Sequence, residues 1–177
     1  MQQYSNELYH HGVKGMKWGV RRKRAESKYA KAGRAKGQAD YERSKGAELF
    51  KKHESAANTL ERASKAQTKK GYGITAVATQ RSAEALRQRG ARLKAEQDRE
   101  AARLEKYSIR MTAKADAYAT KKRVNLGKER IDAIMKKSRK EGFENAKWFD
   151  EQQKRRSIEE RYGDNAVDAY DKLRGVN

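Results

Sequence analysis

The residues most able to do chemistry are gathered in "YHHGVKGMKWGVRRKR", residues 9–24. His10 and His11 offer imidazoles, the commonest nitrogen donors for zinc. Adjacent side chains diverge in an extended segment, and no third donor stands nearby. The spacing therefore favours a histidine that packs or hydrogen-bonds within its own segment, and no metal is expected. Gly12, Gly15 and Gly19, with Lys14 and Lys17, supply the glycines and lysines of a phosphate cradle. A working cradle needs a strand before it and a Ser or Thr directly after the lysine, and neither is present. The paired carboxylates Glu159 and Glu160 sit in a polar helical stretch and read as a solvated face. With three histidines, no cysteine and no HExxH, the chain offers no catalytic constellation. We expect neither an enzyme nor a cofactor.

The elements that must position these residues follow from composition. Leu, Ile, Val and Phe make up only 22 of 177 residues, while Ala, Glu, Lys, Arg and Leu make up 94. The first count is too small for an ordinary globular core. The second is the composition of long helices and coiled coils. Proline is absent, so nothing forbids long helices. The expected fold is all-α: elongated helices in an antiparallel hairpin or coiled-coil-like bundle, behind an irregular N-terminal segment. Burial this sparse also points to a partner or to self-association that completes it.

Four units are expected along the chain. Residues 1–20 lack helical periodicity and form an N-terminal docking segment. Residues 21–70 form a basic helix that opens with Ala25, Ala30, Ala32, Ala35 and Ala39, interrupted by Gly33 and Gly37. Its apolar stripe continues through Leu49/Phe50, His53, Ala56/Ala57, Leu60 and Ala63 at helical spacing. Gly71 and Gly73 break the chain and fold it back. Residues 71–142 form a second long helix, running from about Thr75 to Lys140, with a stripe at Leu86, Leu93, Leu104, Met111 and Tyr118. Those steps of 7, 11, 7 and 7 suit a coiled-coil seam with one phase shift. Gly142 is expected to end that helix. Residues 143–177 are nearly charge-neutral, with 145–177 balancing seven basic against seven acidic residues. They gather Phe143, Trp148 and Phe149, and close on a short helix capped by Asp164, with Val167, Tyr170 and Leu173 on one face.

Charge sets the class of partner. The chain carries a net +20, which concentrates polyanions around it. The densest run is Arg21, Arg22, Lys23, Arg24, Lys28, Lys31, Arg34 and Lys36. On a helix 24, 28 and 31 share a face, with 34 close by, making a track for a phosphate backbone. Such contacts carry no sequence information, so nonspecific binding of nucleic acid, DNA first, is expected. Tyr29 and Tyr41 either stack on bases or face a partner helix, the commoner role. An anionic membrane surface would want bulky apolar residues opposite the charges, and residues 21–40 offer mostly alanine. No apolar run approaches the roughly 18 residues of a membrane span, and the N-terminus lacks the pattern of a secretory signal.

The opening segment also resembles a short motif, "HHGxxGxKWGxRR", found near the ends of otherwise unrelated proteins of bacteriophages and prophages, many in head-morphogenesis gene neighbourhoods. The matching residues are His10, His11, Gly12, Gly15, Lys17, Trp18, Gly19, Arg21 and Arg22, with Met16 and Val20 at tolerated positions. The resemblance spans about 15 of 177 residues and implies a virion context. A segment shared by unrelated proteins behaves as an address. Trp18 and Met16 would anchor it in a pocket of a capsid or portal protein, the glycines allowing close approach. The alternative is that Trp18 folds back on the protein's own helices. The expected function is thus a virion-associated protein binding packaged nucleic acid. The rivals are a head-assembly scaffold and a nucleoid- or ribosome-associated basic protein.

Overall fold

The computed structural model describes residues 18–173 and 175, and these form helices and no strand. The helices are α1 (Trp18–Lys69), α2 (Gly73–Lys121), α3 (Lys128–Tyr162) and α4 (Asp164–Leu173). At 1.5 Å per residue, α1 is about 78 Å long. Helix α2 returns antiparallel along its whole length, and α3 reverses again and lies on the N-terminal half of α1. The elongated all-α hairpin expected from composition is the observed architecture, with α3 added to one half.

Small residues make the α1–α2 seam. On α2 the buried positions are Ala76, Ala83, Gly90, Ala101, Ser108 and Ala115. They are spaced by sevens with a single eleven, the same phase shift that Leu86, Leu93, Leu104, Met111 and Tyr118 display. Those larger residues are half-buried; they flank the seam rather than fill it. On α1 the matching positions include Ala25, Ala32, Ala39 and Ala57. Two hydrogen bonds pin the register. Ser64 Oγ donates to the Ala76 carbonyl at 2.7 Å, and Ser108 Oγ donates to the Ala32 carbonyl at 2.8 Å. Between them the larger residue alternates sides: a β-carbon on Gly90 would meet His53 Cβ at 2.8 Å, and one on Gly46 would meet Gln97 Cβ at 3.0 Å. Each level has at least one small residue, so the axes approach at the short end of the 8–10 Å range.

Helix α3 packs still closer. A β-carbon on Gly37 would lie 1.9 Å from the Arg139 carbonyl oxygen, and one on Gly142 would lie 2.1 Å from that of Arg34. Gly33, four residues before Gly37, faces Ser138, four residues before Gly142. These glycines are expected from sequence to interrupt or end helices. Instead they let two backbones touch, and α3 runs unbroken through Gly142 to Tyr162. Residues 71–142 and 143–177 are therefore not separate helical units. The expected single helix over 75–140 is in fact divided at residues 122–127.

Larger side chains collect where three helices meet. Tyr29 is fully buried with Ala25, Ala115, Val124 and Leu126, against Tyr118, Ile131, Ile134 and Met135. Tyr29 Oη donates to Asp116 at 2.6 Å, and burial followed by that bond pushes its phenol up to about 12. Tyr41 meets Phe143 edge-on at 5.5 Å. Both tyrosines thus serve packing and are not free to stack on bases. Ion pairs across the seams join Arg43 to Glu105, Arg87 to Glu61, Arg130 to Glu26, Arg139 to Asp40 and Arg34 to Glu141. Most are exposed, where a pair contributes about 0–1 kcal/mol, so their main effect is on register. Asp150 differs, at 11% exposure: Lys45 from α1 and Lys154 from its own helix both reach it. Helix α4 folds back on α3 through Tyr170 Oη to Glu151 at 2.9 Å and Arg155 to Asp171 at 2.9 Å. Val167 and Tyr170 are half-buried, whereas Leu173 is exposed.

Candidate nucleic-acid interface

The basic run begins in the first turns of α1, which Ala25, Tyr29, Ala32, Ala35 and Ala39 hold against α2 and α3. The eight cations expected to form one track do not all face solvent. Arg21 is half-buried, and its Nε has no hydrogen-bond partner among the described residues. Arg22 lies 3.4 Å from Glu26, which Arg130 also holds at 2.7 Å. Lys28 Nζ sits 5.3 Å from the centre of the Tyr118 ring, a cation–π contact directed at α2. Arg34 lies 3.5 Å from Glu141. Lys23, Arg24, Lys31 and Lys36 are exposed. The run is therefore a broken line of outward cations, because Lys28 and Arg34 turn to α2 and α3 and Arg22 is paired within α1.

Other cations lie outside that run. Lys136, Lys137 and Lys140 recur at three- and four-residue spacing on the outward face of α3, where Arg34 reaches over to join them around a shallow groove. The "KKSRK" run at 136–140 is their only signal in sequence. A second group surrounds the end of α2. There the Lys122 amide bonds to Tyr118 O, the Arg123 amide to Thr120 O at 3.1 Å, and the Val124 amide to Ala119 O at 2.9 Å. The bonds from 123 and 124 are the pattern that ends helices at a left-handed residue, usually glycine, with an apolar contact behind it. Val124 supplies that contact. The left-handed residue is Arg123, at φ 52°. The end of α1 uses the same pattern with Gly71 at φ 82° and the Tyr72 amide bonded to Gln67 O. A β-carbon at such a position costs about 1 kcal/mol relative to glycine.

The register places this turn beside the start of α1. Ser108 bonds Ala32 and Asp116 bonds Tyr29, so the last turn of α2 lies level with residues 18–24. Lys121, Lys122, Arg123 and Lys128 thereby join residues 21–24 at one end of the bundle.

The docking residues His10, His11, Gly12, Gly15, Met16 and Lys17 lie outside the described residues. Trp18 and Gly19 open α1, and among the described residues no atom outside its own helical turn stands within 4 Å of where a Gly19 β-carbon would be. The irregular segment expected through residue 20 thus gives way to helix at Trp18. Among the described residues no group of three or more His, Asp or Glu side chains could hold a metal ion. Nor is any described helix long and apolar enough to cross a membrane.

Comparison with known protein families finds that the model of a family of unknown function, DUF7211, matches residues 1–25. That stretch contains the whole histidine–glycine–tryptophan motif and ends at the first buried alanine of α1. No curated protein and no solved structure matches the chain.

Proposed function

We propose that this is a non-enzymatic, virion-associated bacteriophage protein that binds packaged nucleic acid nonspecifically and is recruited through its N-terminal segment. The observation that carries the nucleic-acid half is how the charge is distributed. Acidic residues such as Glu26, Asp40, Glu61, Glu105 and Asp150 are engaged in pairs between helices. The excess positive charge of the described residues is therefore carried on the outward faces of the elongated bundle. If about four phosphates are neutralised, duplex affinity should fall roughly 150-fold between 50 and 200 mM salt, from a slope near −0.9 per phosphate. Titrating a fluorescent duplex at several salt concentrations checks this. A flat dependence, or no binding at low salt, rules the proposal out.

The recruitment half rests on the motif resemblance and on a family match confined to the same stretch. Deleting residues 1–20 should abolish incorporation into particles while leaving the helical content nearly unchanged. Quantitative mass spectrometry of purified particles reads the outcome, and equal incorporation ends the docking reading. The scaffold reading draws on Trp148 and Phe149, 57% and 60% exposed and stacked edge-on at 5.0 Å, as a coat-binding surface. It requires the full-length protein to be present in immature particles and missing from mature ones.

A further inference from the structure

We infer that the nucleic-acid contact is a composite basic pole, built where the turn carrying Lys121, Lys122, Arg123 and Lys128 meets residues 21–24, and that its ligand is the phosphodiester backbone of a duplex. The inference rests on the nucleic-acid reading above and says where on the rod it acts.

Three observations carry it. The first is placement: two basic runs about 100 residues apart in sequence are brought level by the Ser108–Ala32 and Tyr29–Asp116 bonds. The second is availability. The acidic groups near this end are Glu26, Asp116, Glu129 and Asp132. Glu26 is engaged by Arg22 and Arg130, and Asp116 accepts from Tyr29. Lys23, Lys121, Arg123 and Lys128 are exposed, and each lacks an ion-pair partner among the described residues. The third is Arg123 itself. It occupies the left-handed position that Gly71 fills in the matching turn, so a long cation stands where stability alone favours glycine. Residues kept in sparsely populated backbone conformations cluster at functional sites.

The size also fits. Helix α1 packs against both α2 and α3, so at about 8–10 Å per packed pair the three helix ends form a face roughly 20 Å across. That is wide enough to touch phosphates on both sides of a groove about 6–12 Å wide. Binding of this kind needs the folded bundle, because unfolding separates the two runs.

The test uses the full chain and a 16-base-pair duplex at a fixed salt concentration of about 100 mM, with the salt slope measured around it. Variant one is Lys121→Gln/Lys122→Gln/Arg123→Gly. Variant two removes the same charge from α3: Lys136→Gln/Lys137→Gln/Lys140→Gln. We expect variant one to lose at least tenfold in affinity and to flatten the salt slope by about 2 to 3, at roughly 0.9 for each phosphate no longer neutralised. Variant two should lose less than about threefold. Arg123→Gly alone should weaken binding while Tm stays level or rises, a combination that a merely structural residue would not produce. Equal losses in the two triple variants would mean diffuse charge and overturn the pole. So would a lowered Tm in Arg123→Gly, or tighter binding to phosphatidylserine vesicles than to duplex. If the unmodified chain fails to bind duplex at low salt, the broader nucleic-acid reading falls as well. If it binds and variant one binds equally, only the pole falls.

Discussion

Replacing Gly37 with alanine is expected to detach α3 and α4 from α1 while leaving the α1–α2 hairpin folded. The new β-carbon would stand 1.9 Å from the Arg139 carbonyl oxygen and 2.8 Å from both the Arg139 carbonyl carbon and the Phe143 amide nitrogen. All three are backbone atoms of a helix, so no rotamer change makes room. Gly142→Ala meets the Arg34 carbonyl group in the same way, from the opposite helix. The sign makes the result decisive. In an isolated helix, glycine to alanine stabilises by about 1 kcal/mol. Here the disrupted packing should reverse that into a loss above about 3 kcal/mol for α3, within the range of severe overpacking. Gly73→Ala serves as the control, since nothing lies within 4 Å of its β-carbon position. Hydrogen exchange read by mass spectrometry should show protection lost over residues 128–162 and retained over the α1–α2 seam distal to α3. A raised Tm with unchanged protection in Gly37→Ala would mean that the two backbones do not touch.

The same glycines show what sequence can and cannot reveal. Helical class follows from composition, and the hairpin from Gly71 and Gly73, because two glycines between periodic stretches have few other uses. The seam's period is visible in Leu86, Leu93, Leu104, Met111 and Tyr118, phase shift included. Its centre is visible in part, at Ala25, Ala32, Ala39 and Ala57 of α1, whereas Gly90 and Ser108 of α2 carry little hydrophobic signal. Gly33, Gly37 and Gly142 look like weak points because a helical glycine is a defect unless something packs against it, and the partner lies about 100 residues away. The break at 122–127 is hidden for the opposite reason. The residue ending α2 is an arginine in the conformation glycine normally takes, and the glycine of the break, Gly127 at φ 69°, stands only at its far end, where it reads as a weak point within one helix. The basic run is visible as charge. Its division between ion pairs and solvent depends on groups supplied by α3, above all Glu141 and the Arg130 that shares Glu26 with Arg22.

Asp150→Asn is expected to destabilise the α1–α3 contact by about 3 kcal/mol at neutral pH, since it strips two ammonium groups and a phenol of one shared acceptor. Asp150 lies at 11% exposure between Lys45 and Lys154. Burial alone would raise its carboxyl, but hydrogen bonds from Lys154, Lys45 and Tyr41 outweigh burial and hold it down to about 2, from an ordinary 3.8. A carboxyl depressed on folding contributes stability that is fully present above its unfolded value and lost as pH falls through its folded one. The window therefore runs from about pH 4 down to about pH 2. The displacement corresponds to about 2 kcal/mol of pH-dependent stability. Urea unfolding at pH 7, 4, 3 and 2 should show this loss in the unmodified chain, on top of the general acid trend. The trend alone should remain in Asp150→Asn. A second readout is independent of global stability. Burial, then the bond to Asp150, raises the Tyr41 phenol well above its usual value. Without the carboxylate its ionisation should move down, which an ultraviolet titration against Tyr41→Phe isolates. Parallel acid profiles together with an unmoved tyrosine would mean that Asp150 is solvated rather than shared. The clasp joining α1 to α3 would then rest on the glycine contact, the Tyr41–Phe143 edge and the exposed ion pairs.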